Sequence, residues 1–235
     1  MMGFASFLVG IVGVFAVRLI QSTSKRRVQA GVLYIRDYPF PPGLFAKLRK
    51  KHPHLSQQDC ELAGLALRQY FTVYLKSGRR FVAMPSQVTD DLWHEMILYT
   101  KIYKTFCRQA FGRFMHHTPA VMLGSARSSN AGLRRCWWYA CLEEDINPSK
   151  PLALPLLFRL DEQLNIAEGF HYALDCRGLG NAQYQTAGTT VIHCGGDFAS
   201  TDFDGTTDGF GDMTGSDGDG NDGCSGGCSG GCGGD

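Results

Sequence analysis

The sequence predicts an all-α fold in which a small helical domain follows a single N-terminal transmembrane helix and precedes a disordered tail rich in Gly, Asp and Cys. Three observations indicate this arrangement. Residues 1–17 are apolar and uncharged, residues 38–177 repeat apolar side chains at helical spacing, and 18 of the 29 glycines lie after Arg177. With 235 residues, the chain has room for one ordinary domain and further segments.

Residues 1–22 are interpreted as a membrane anchor. The apolar run continues past Arg18 and gives about 20 residues, or about 30 Å of helix, which is enough to cross a bilayer. The alternatives are a cleaved signal peptide, whose positive charge would precede the apolar run, and a buried core helix. The basic residues Arg18, Lys25, Arg26 and Arg27 follow the run and predict that the rest of the chain faces the cytoplasm. In that compartment we expect the nine cysteines to be thiols or metal ligands rather than a disulfide framework.

Residues 23–43 are predicted to form a juxtamembrane linker. The segment Tyr38-Pro-Phe-Pro-Pro-Gly43 contains three prolines, which prevent a helix from continuing. The helical domain is placed at residues 44–177 and starts with a short basic helix. Ser56 is positioned as the cap of a helix predicted over 57–76.

Three further helices are predicted within this domain. Apolar residues from Val88 to Ala110 recur at steps of three and four, which predicts one continuous helix with a single buried stripe. The stretches 128–144 and 155–167 have similar spacing. No convincing run of alternating residues is present, so the domain is expected to be mainly helical.

A cluster of histidines lies on and after the long predicted helix. Asp90 lies one helical turn before His94 and Asp91 lies three residues before it, so either carboxylate could orient the imidazole. His116 and His117 follow the helix, where a loop could fold them back toward His94. Three imidazoles with Asp91 in reserve suit zinc or non-haem iron. The alternative is a satisfied core histidine at 94 with capping or surface histidines at 116 and 117.

These residues also carry a family resemblance. Asp-Leu-Trp-His at 91–94, Tyr103, Phe-Gly-Arg at 111–113 and the glycine-rich C-terminus resemble the glycine-rich domain-containing protein-like family of plants and bacterial membrane proteins. The resemblance implies a helical domain without an established enzymatic activity, and Trp93 and Arg113 within its motifs are candidate binding residues. The anchor and the cysteine-spaced tail are closer to the bacterial branch, which implies the inner membrane.

The tail, residues 178–235, is expected to be disordered because Gly, Asp, Ser and Thr bury little apolar surface. Cys224, Cys228 and Cys232 form a four-residue repeat whose thiols could converge on zinc or copper(I), with His193 or Cys194 as a fourth ligand. The tail could instead be the substrate of a thiol-modifying enzyme, a docking segment for a protein partner, or a spacer.

The charge is divided between these regions. The first 177 residues carry a net charge of +10 and the last 58 carry −9, so the tail could fold back on the body at low salt. The basic clusters lie in no recognisable nucleic-acid-binding motif, and no nucleic-acid partner is expected. Hydrolase, Walker and dinucleotide motifs are absent, and no catalytic residue is assigned.

The sequence therefore predicts a membrane-anchored, cytoplasm-facing interaction or metal-binding module that presents a Cys/Gly-rich tail. The alternative is a metal-dependent enzyme that uses the cluster of His94, His116 and His117. Over the histidine cluster and the tail together, zinc, copper and iron are the candidate metals.

Overall fold

The computed structural model describes residues 2–117, 126–174, 192–201 and 205–211, without the side chains of residues 2–17, 19, 20, 126–129, 192 and 193. This part of the chain is mostly helical, as predicted. It contains seven α-helices, two short strands and one 3₁₀ turn: α1 (Met2–Asp37), α2 (Leu44–Lys51), α3 (Gln57–Lys76), α4 (Gln87–Leu98), α5 (Thr100–Phe111), α6 (Ala126–Glu143), α7 (Leu156–Gln163), β1 (His171–Ala173), β2 (Ile192–Cys194) and the turn Asp197–Ala199.

Helix α3 is the central element of the domain and contacts α1, α2, α4, α6 and α7. It has the bounds predicted from the sequence. The Ser56 hydroxyl accepts a hydrogen bond from the Asp59 N–H at 3.1 Å, and the Asp59 carboxylate accepts one from the Ser56 N–H at 2.8 Å. This reciprocal cap satisfies two N–H groups that a helix start otherwise leaves unpaired. Eleven of the 20 residues of α3 are buried, more than one helix face provides, because neighbours surround it.

Helix α1 corrects the prediction of a membrane anchor. Among the residues that the structure describes, no helix combines the length and the apolar character that crossing a bilayer requires, so the transmembrane helix at 1–22 and the inner-membrane location are wrong. The described side chains of α1 begin with Arg18 and continue from Gln21 as an exposed polar stretch through Arg27. Charged and polar side chains are costly in hydrocarbon.

The C-terminal half of α1 packs on the domain, where a linker had been expected. The residues from 23 to 37 are helical, and α1 contacts α3 and α5. Ile35 is buried, and its carbonyl accepts a hydrogen bond from Arg68 at 2.6 Å. A Cβ atom on Gly31 would lie 2.6 Å from the Ala110 carbonyl oxygen, so glycine permits the close approach of α1 to α5. The helix ends at Asp37, just before the Tyr38-Pro39 step, as the conformational restriction before proline predicts.

A break at Tyr99 divides the long helix predicted from residue 88 to 110 into α4 and α5. Tyr99 has a ψ of 59°, outside the helical region. Its hydroxyl donates to the Pro42 carbonyl at 3.1 Å, and the Lys47 ammonium lies 4.7 Å from its ring centroid. Contacts with the segment before α2 and with α2 itself therefore accompany the break.

Part of the predicted disordered tail is folded onto the domain. β2 pairs in parallel with β1, with Tyr172 opposite position 193. Phe198 is fully buried, and its ring centroid lies 5.1 Å from that of Trp137 and 5.8 Å from that of Phe158. The prediction of disorder from residue 178 is thus wrong for residues 192–201, because one buried aromatic side chain provides apolar surface that the average composition conceals.

A second contact holds residues 205–211. The Phe210 ring packs on Trp138 at 4.8 Å. Gly209 has a φ of +87°, and a Cβ atom there would lie 2.1 Å from the Ala131 carbonyl oxygen, so only glycine fits. The cysteine repeat Cys224, Cys228 and Cys232 lies outside the described residues.

The described cysteines differ in state. Cys60, Cys107, Cys136 and Cys141 are free and buried, in agreement with the expectation of thiols. Cys194 is also buried but is disulfide-bonded, so the expectation is wrong at this position.

Candidate metal centre on helix α4

The start of α4 is fixed by a buried carboxylate from α7. Asp161 accepts hydrogen bonds from the backbone N–H groups of Gln87 at 2.6 Å and Val88 at 3.2 Å, and from the Ser86 hydroxyl at 2.8 Å. It also accepts one from the Phe170 N–H at 2.9 Å. A carboxylate at a helix N-terminus satisfies the free N–H groups there and interacts favourably with the helix dipole. Asp161 therefore holds the first turn of α4, which carries Asp90.

Asp90, His94 and His117 form a cluster on one face of α4. The Asp90 carboxylate lies 3.3 Å from His94 Nδ1 and 2.9 Å from His117 Nε2. The two imidazole rings have centroids 4.1 Å apart. One ligand atom from each of the three residues can be chosen so that all lie within 4.8 Å of one another. Two imidazoles and one carboxylate thus lie close enough together to contact one metal ion.

Two hydrogen bonds position the loop that carries His117. Trp93 Nε1 donates to the Tyr103 hydroxyl at 3.1 Å, and that hydroxyl donates to the Met115 carbonyl at 2.7 Å. In one straight helix, residues 93 and 103 would lie about 15 Å apart along the axis, so the break at Tyr99 favours this contact. The Trp93 ring also packs against His117, with the centroids 4.6 Å apart.

Arg113 supports the same loop from its other end. Its Nε donates to the Tyr74 hydroxyl at 3.1 Å, and its Nη2 donates to the Arg79 carbonyl. Trp93 and Arg113, the candidate binding residues of the sequence, thus both make contacts that position the chain around His117.

Asp91, the carboxylate predicted as a ligand, belongs to a different cluster. Its side chain is 2% exposed and accepts hydrogen bonds from Lys51 Nζ at 2.6 Å and from Gln87 Nε2 at 2.9 Å. His52 Nε2 lies 2.7 Å from its second oxygen. These contacts join α4 to the end of α2 and turn Asp91 away from His94. Asp90 replaces it beside the histidines.

The four predicted histidine-cluster ligands therefore separate in the structure. His94 and His117 are brought together, whereas His116 is exposed and its ring lies against Phe114 at 4.8 Å. Adjacent residues in an extended segment point to opposite sides, which explains why only one of the two histidines faces Asp90. Asp90 could have been selected from the sequence, because residues at i and i+4 lie on the same helix face and form an ion pair or hydrogen bond.

The geometry allows a metal ion to replace the hydrogen bonds of the cluster. Ligand atoms of a tetrahedral zinc ion are separated by about 3.3 Å when the bonds are about 2.0–2.1 Å long. The Asp90 carboxylate lies 2.9 Å from His117 Nε2 and 3.3 Å from His94 Nδ1, close to this value, and ligand atoms of all three residues lie within 4.8 Å of one another. His94 is 49% exposed, whereas His117 is 14% exposed. The site therefore opens to solvent on the His94 side.

Comparison with known proteins identifies a family. The model of a family described as UCP032817-like matches residues 31–198. This range includes Asp90, His94 and His117, and extends through the buried Phe198. No curated protein and no solved structure matches the chain.

Proposed function

The chain belongs to the UCP032817-like family, and we propose that it is a metal-binding helical protein that holds one divalent transition metal ion at Asp90, His94 and His117. The observation that carries this proposal is the convergence of the three ligand atoms within 4.8 Å. Two residues come from α4 and the third comes from a loop 23 residues farther along the chain. The i,i+4 spacing accounts for the pair Asp90 and His94, whereas the approach of His117 is not a consequence of sequence proximity.

The supports around the cluster favour a preformed site. Trp93 and Tyr103 fix the position of the loop, and Asp161 fixes the start of α4. A site held by neighbouring side chains loses less conformational entropy when a metal binds.

Zinc is the metal that we propose, because imidazole and carboxylate groups are its common ligands at a tetrahedral site. Iron(II) is the next candidate, since two histidines and one carboxylate with open positions are also the donor set of non-haem iron enzymes. Copper is the third metal that the sequence suggests. It suits the tail thiols better, and the tail cysteines lie outside the residues that the structure describes.

A metal-dependent enzyme is a second candidate function, and one observation favours it. Three protein ligands leave at least one coordination position open, and the exposed side of His94 gives access to it. Structural zinc sites have four protein ligands, whereas catalytic sites keep a position for water or substrate. The proposed roles of the tail in binding a partner or receiving a thiol modification stay predictions.

The proposal is tested by zinc titration of the full-length chain without reductant, so that the disulfide of Cys194 stays intact, with isothermal titration calorimetry and elemental analysis. The tail cysteines are first replaced (Cys224→Ser, Cys228→Ser, Cys232→Ser), so that any remaining site lies elsewhere. We expect one zinc ion per chain. His94→Ala with His117→Ala should abolish it, because only one ligand remains.

His116→Ala is the matched control, since it removes an imidazole one residue away from the site and leaves the three ligands in place. It should retain one zinc ion with an affinity within about twofold of the parent. Equal weakening by His116→Ala and by the double variant, or no zinc in the parent, would contradict the proposal. Truncation after Arg177 is a poorer test, because it removes Phe198 from its contact with Trp137 and Phe158.

A further inference from the structure

A second candidate site is a cleft of about 770 Å³ between α1, the end of α5 and the segments that follow α3 and α5. Four arginines line it, namely Arg27, Arg79, Arg108 and Arg113, and its lining contains no Asp or Glu. It is separate from the Asp90 cluster, although Arg113 and His117 belong to the same loop.

Two of the arginines are held in place by the fold. Arg79 has a φ of +64°, which is uncommon for a residue with a side chain, and its Nε donates to the Phe111 carbonyl at 2.7 Å. The Arg113 guanidinium is fixed by Tyr74 and by the Arg79 carbonyl. Each of these two guanidinium groups retains N–H groups beyond those contacts, because arginine has five donors.

The other two arginines come from opposite walls. Arg27 lies on α1 and Arg108 lies on α5, and both are exposed. Within the part of the chain that the structure describes, neither forms an ion pair or a side-chain hydrogen bond. Four like charges around one cleft repel each other, and the repulsion is relieved when an anion enters.

The lining also indicates the size and chemistry of that anion. Planar guanidinium groups match phosphate oxygens in bidentate geometry. No atom lies within 4 Å of the position that a Cβ atom on Gly112 would take, so the backbone is accessible there, and the partly exposed Tyr34 adds an aromatic side chain to the lining. The volume lies in the range of small-molecule sites.

From these observations we infer that the cleft binds a small organic polyphosphate, such as a nucleoside triphosphate, with its phosphate groups among the four arginines. The inference is independent of the proposed metal site, and it adds a second ligand class to the protein.

The test measures binding of ATP and of inorganic tripolyphosphate to the full-length chain by calorimetry, with EDTA present to remove metal ions. The informative variant is Arg27→Gln with Arg108→Gln, because neither side chain supports the fold. Arg49→Gln with Lys104→Gln is the matched control, which removes the same charge from exposed positions outside the cleft. We expect the cleft variant to raise Kd at least about tenfold and the control to change it less than about threefold.

A third arm uses vesicles of phosphatidylcholine with phosphatidic acid, because a lipid headgroup offers the same phosphate chemistry. Saturable binding of soluble ATP that the cleft variant weakens supports the proposal. Binding to the vesicles alone, equal weakening by the control variant, or no saturable binding of either soluble probe would overturn it.

Discussion

Asp90 and Asp91 are neighbours on α4, yet they serve two clusters of opposite character. Asp91 is enclosed by Lys51, His52 and Gln87 and is 2% exposed. Asp90 is 21% exposed and faces two imidazoles, one of them half exposed. Successive residues on a helix point about 100° apart, so each carboxylate meets different neighbours. A closed cluster with opposite charges stabilises the packing of α2 on α4, whereas the Asp90 cluster presents imidazole and carboxylate groups at a surface that is open on the His94 side.

The largest expected effect tests the structural role of Asp91. Asp91→Ala should lower the free energy of unfolding by about 3 kcal/mol, because it removes the buried acceptor shared by Gln87 and the largely buried His52, whereas Lys51 is 60% exposed and is solvated once the carboxylate is gone. Asp90→Ala should cost less than about 1 kcal/mol, since its cluster is partly exposed. Denaturant titration of both variants measures the difference. An equal loss of stability in the two variants would contradict the assignment of a structural role to the Asp91 cluster alone.

A second prediction separates the clusters by their response to metal. In the variant without tail cysteines, zinc at 100 times its Kd should stabilise the fold by about 2.7 kcal/mol. This increase should disappear in His94→Ala with His117→Ala. It should persist in Asp91→Ala, measured by the shift of the denaturant midpoint, because Asp91 does not face the site. Loss of the increase in Asp91→Ala would show that the two clusters are coupled.

A third prediction concerns the buried thiols of Cys136 and Cys141, which lie outside both clusters. Burial, together with the nearby Glu144 carboxylate, raises the pKa of the Cys141 thiol to about 12, and burial raises that of Cys136 as well, whereas an unfolded thiol has a pKa of about 8.5. Each thiol is kept protonated in the folded protein but ionises in the unfolded chain above about pH 8.5. Its contribution to the free energy of unfolding is therefore fully present below about pH 8.5 and is lost as the pH rises toward 12.

At pH 9.5 each thiol should contribute about 1.4 kcal/mol of this loss. Unfolding measured from pH 8 to 10 gives the slope, and Cys141→Ala should reduce it. A slope unchanged in Cys141→Ala would place the alkaline titration elsewhere. The zinc-dependent increase is measured at neutral pH, where this effect is absent.

The smallest expected effect concerns Tyr103, which connects Trp93 to the loop of His117. Tyr103→Phe removes one hydroxyl that both donates and accepts, so stability should fall by about 1 kcal/mol. Zinc affinity should fall by several-fold, because His117 is less well placed, whereas the Asp91 cluster should be unaffected. Calorimetry with Thr105→Ala, an exposed hydroxyl on the same helix, provides the control. Unchanged zinc affinity would show that Tyr103 stabilises the fold without positioning the site.

Local signals in the sequence were sufficient to predict much of the helical structure. The bounds of α3 follow from the Ser56 cap and from apolar spacing that ends at Ser77-Gly78. The break at Tyr99 has no such signal, because Tyr is compatible with a helix and the residues that accompany the break, Pro42 and Lys47, are more than 50 positions away. A periodic pattern therefore identified the apolar stripe of α4 and α5 but not the division between them.

The folded part of the tail escaped prediction for a related reason. The prediction of disorder came from the mean composition of the tail, whereas burial depends on individual side chains. Phe198 and Phe210 are isolated in a Gly-rich background, but each finds a Trp on α6. Whether a lone aromatic residue is buried depends on a partner surface that the local sequence does not contain.

The sequence by itself determined that the domain is helical and that His94 and His117 are candidates for a metal site, because helix caps, apolar spacing and residue chemistry are local properties. Only the tertiary structure decided which carboxylate joins which histidine. Asp91 pairs with His52 just after α2, and Asp90 pairs with His117 from the loop after α5. These contacts depend on how distant segments pack against two sides of one helix, and adjacent residues on that helix face different segments.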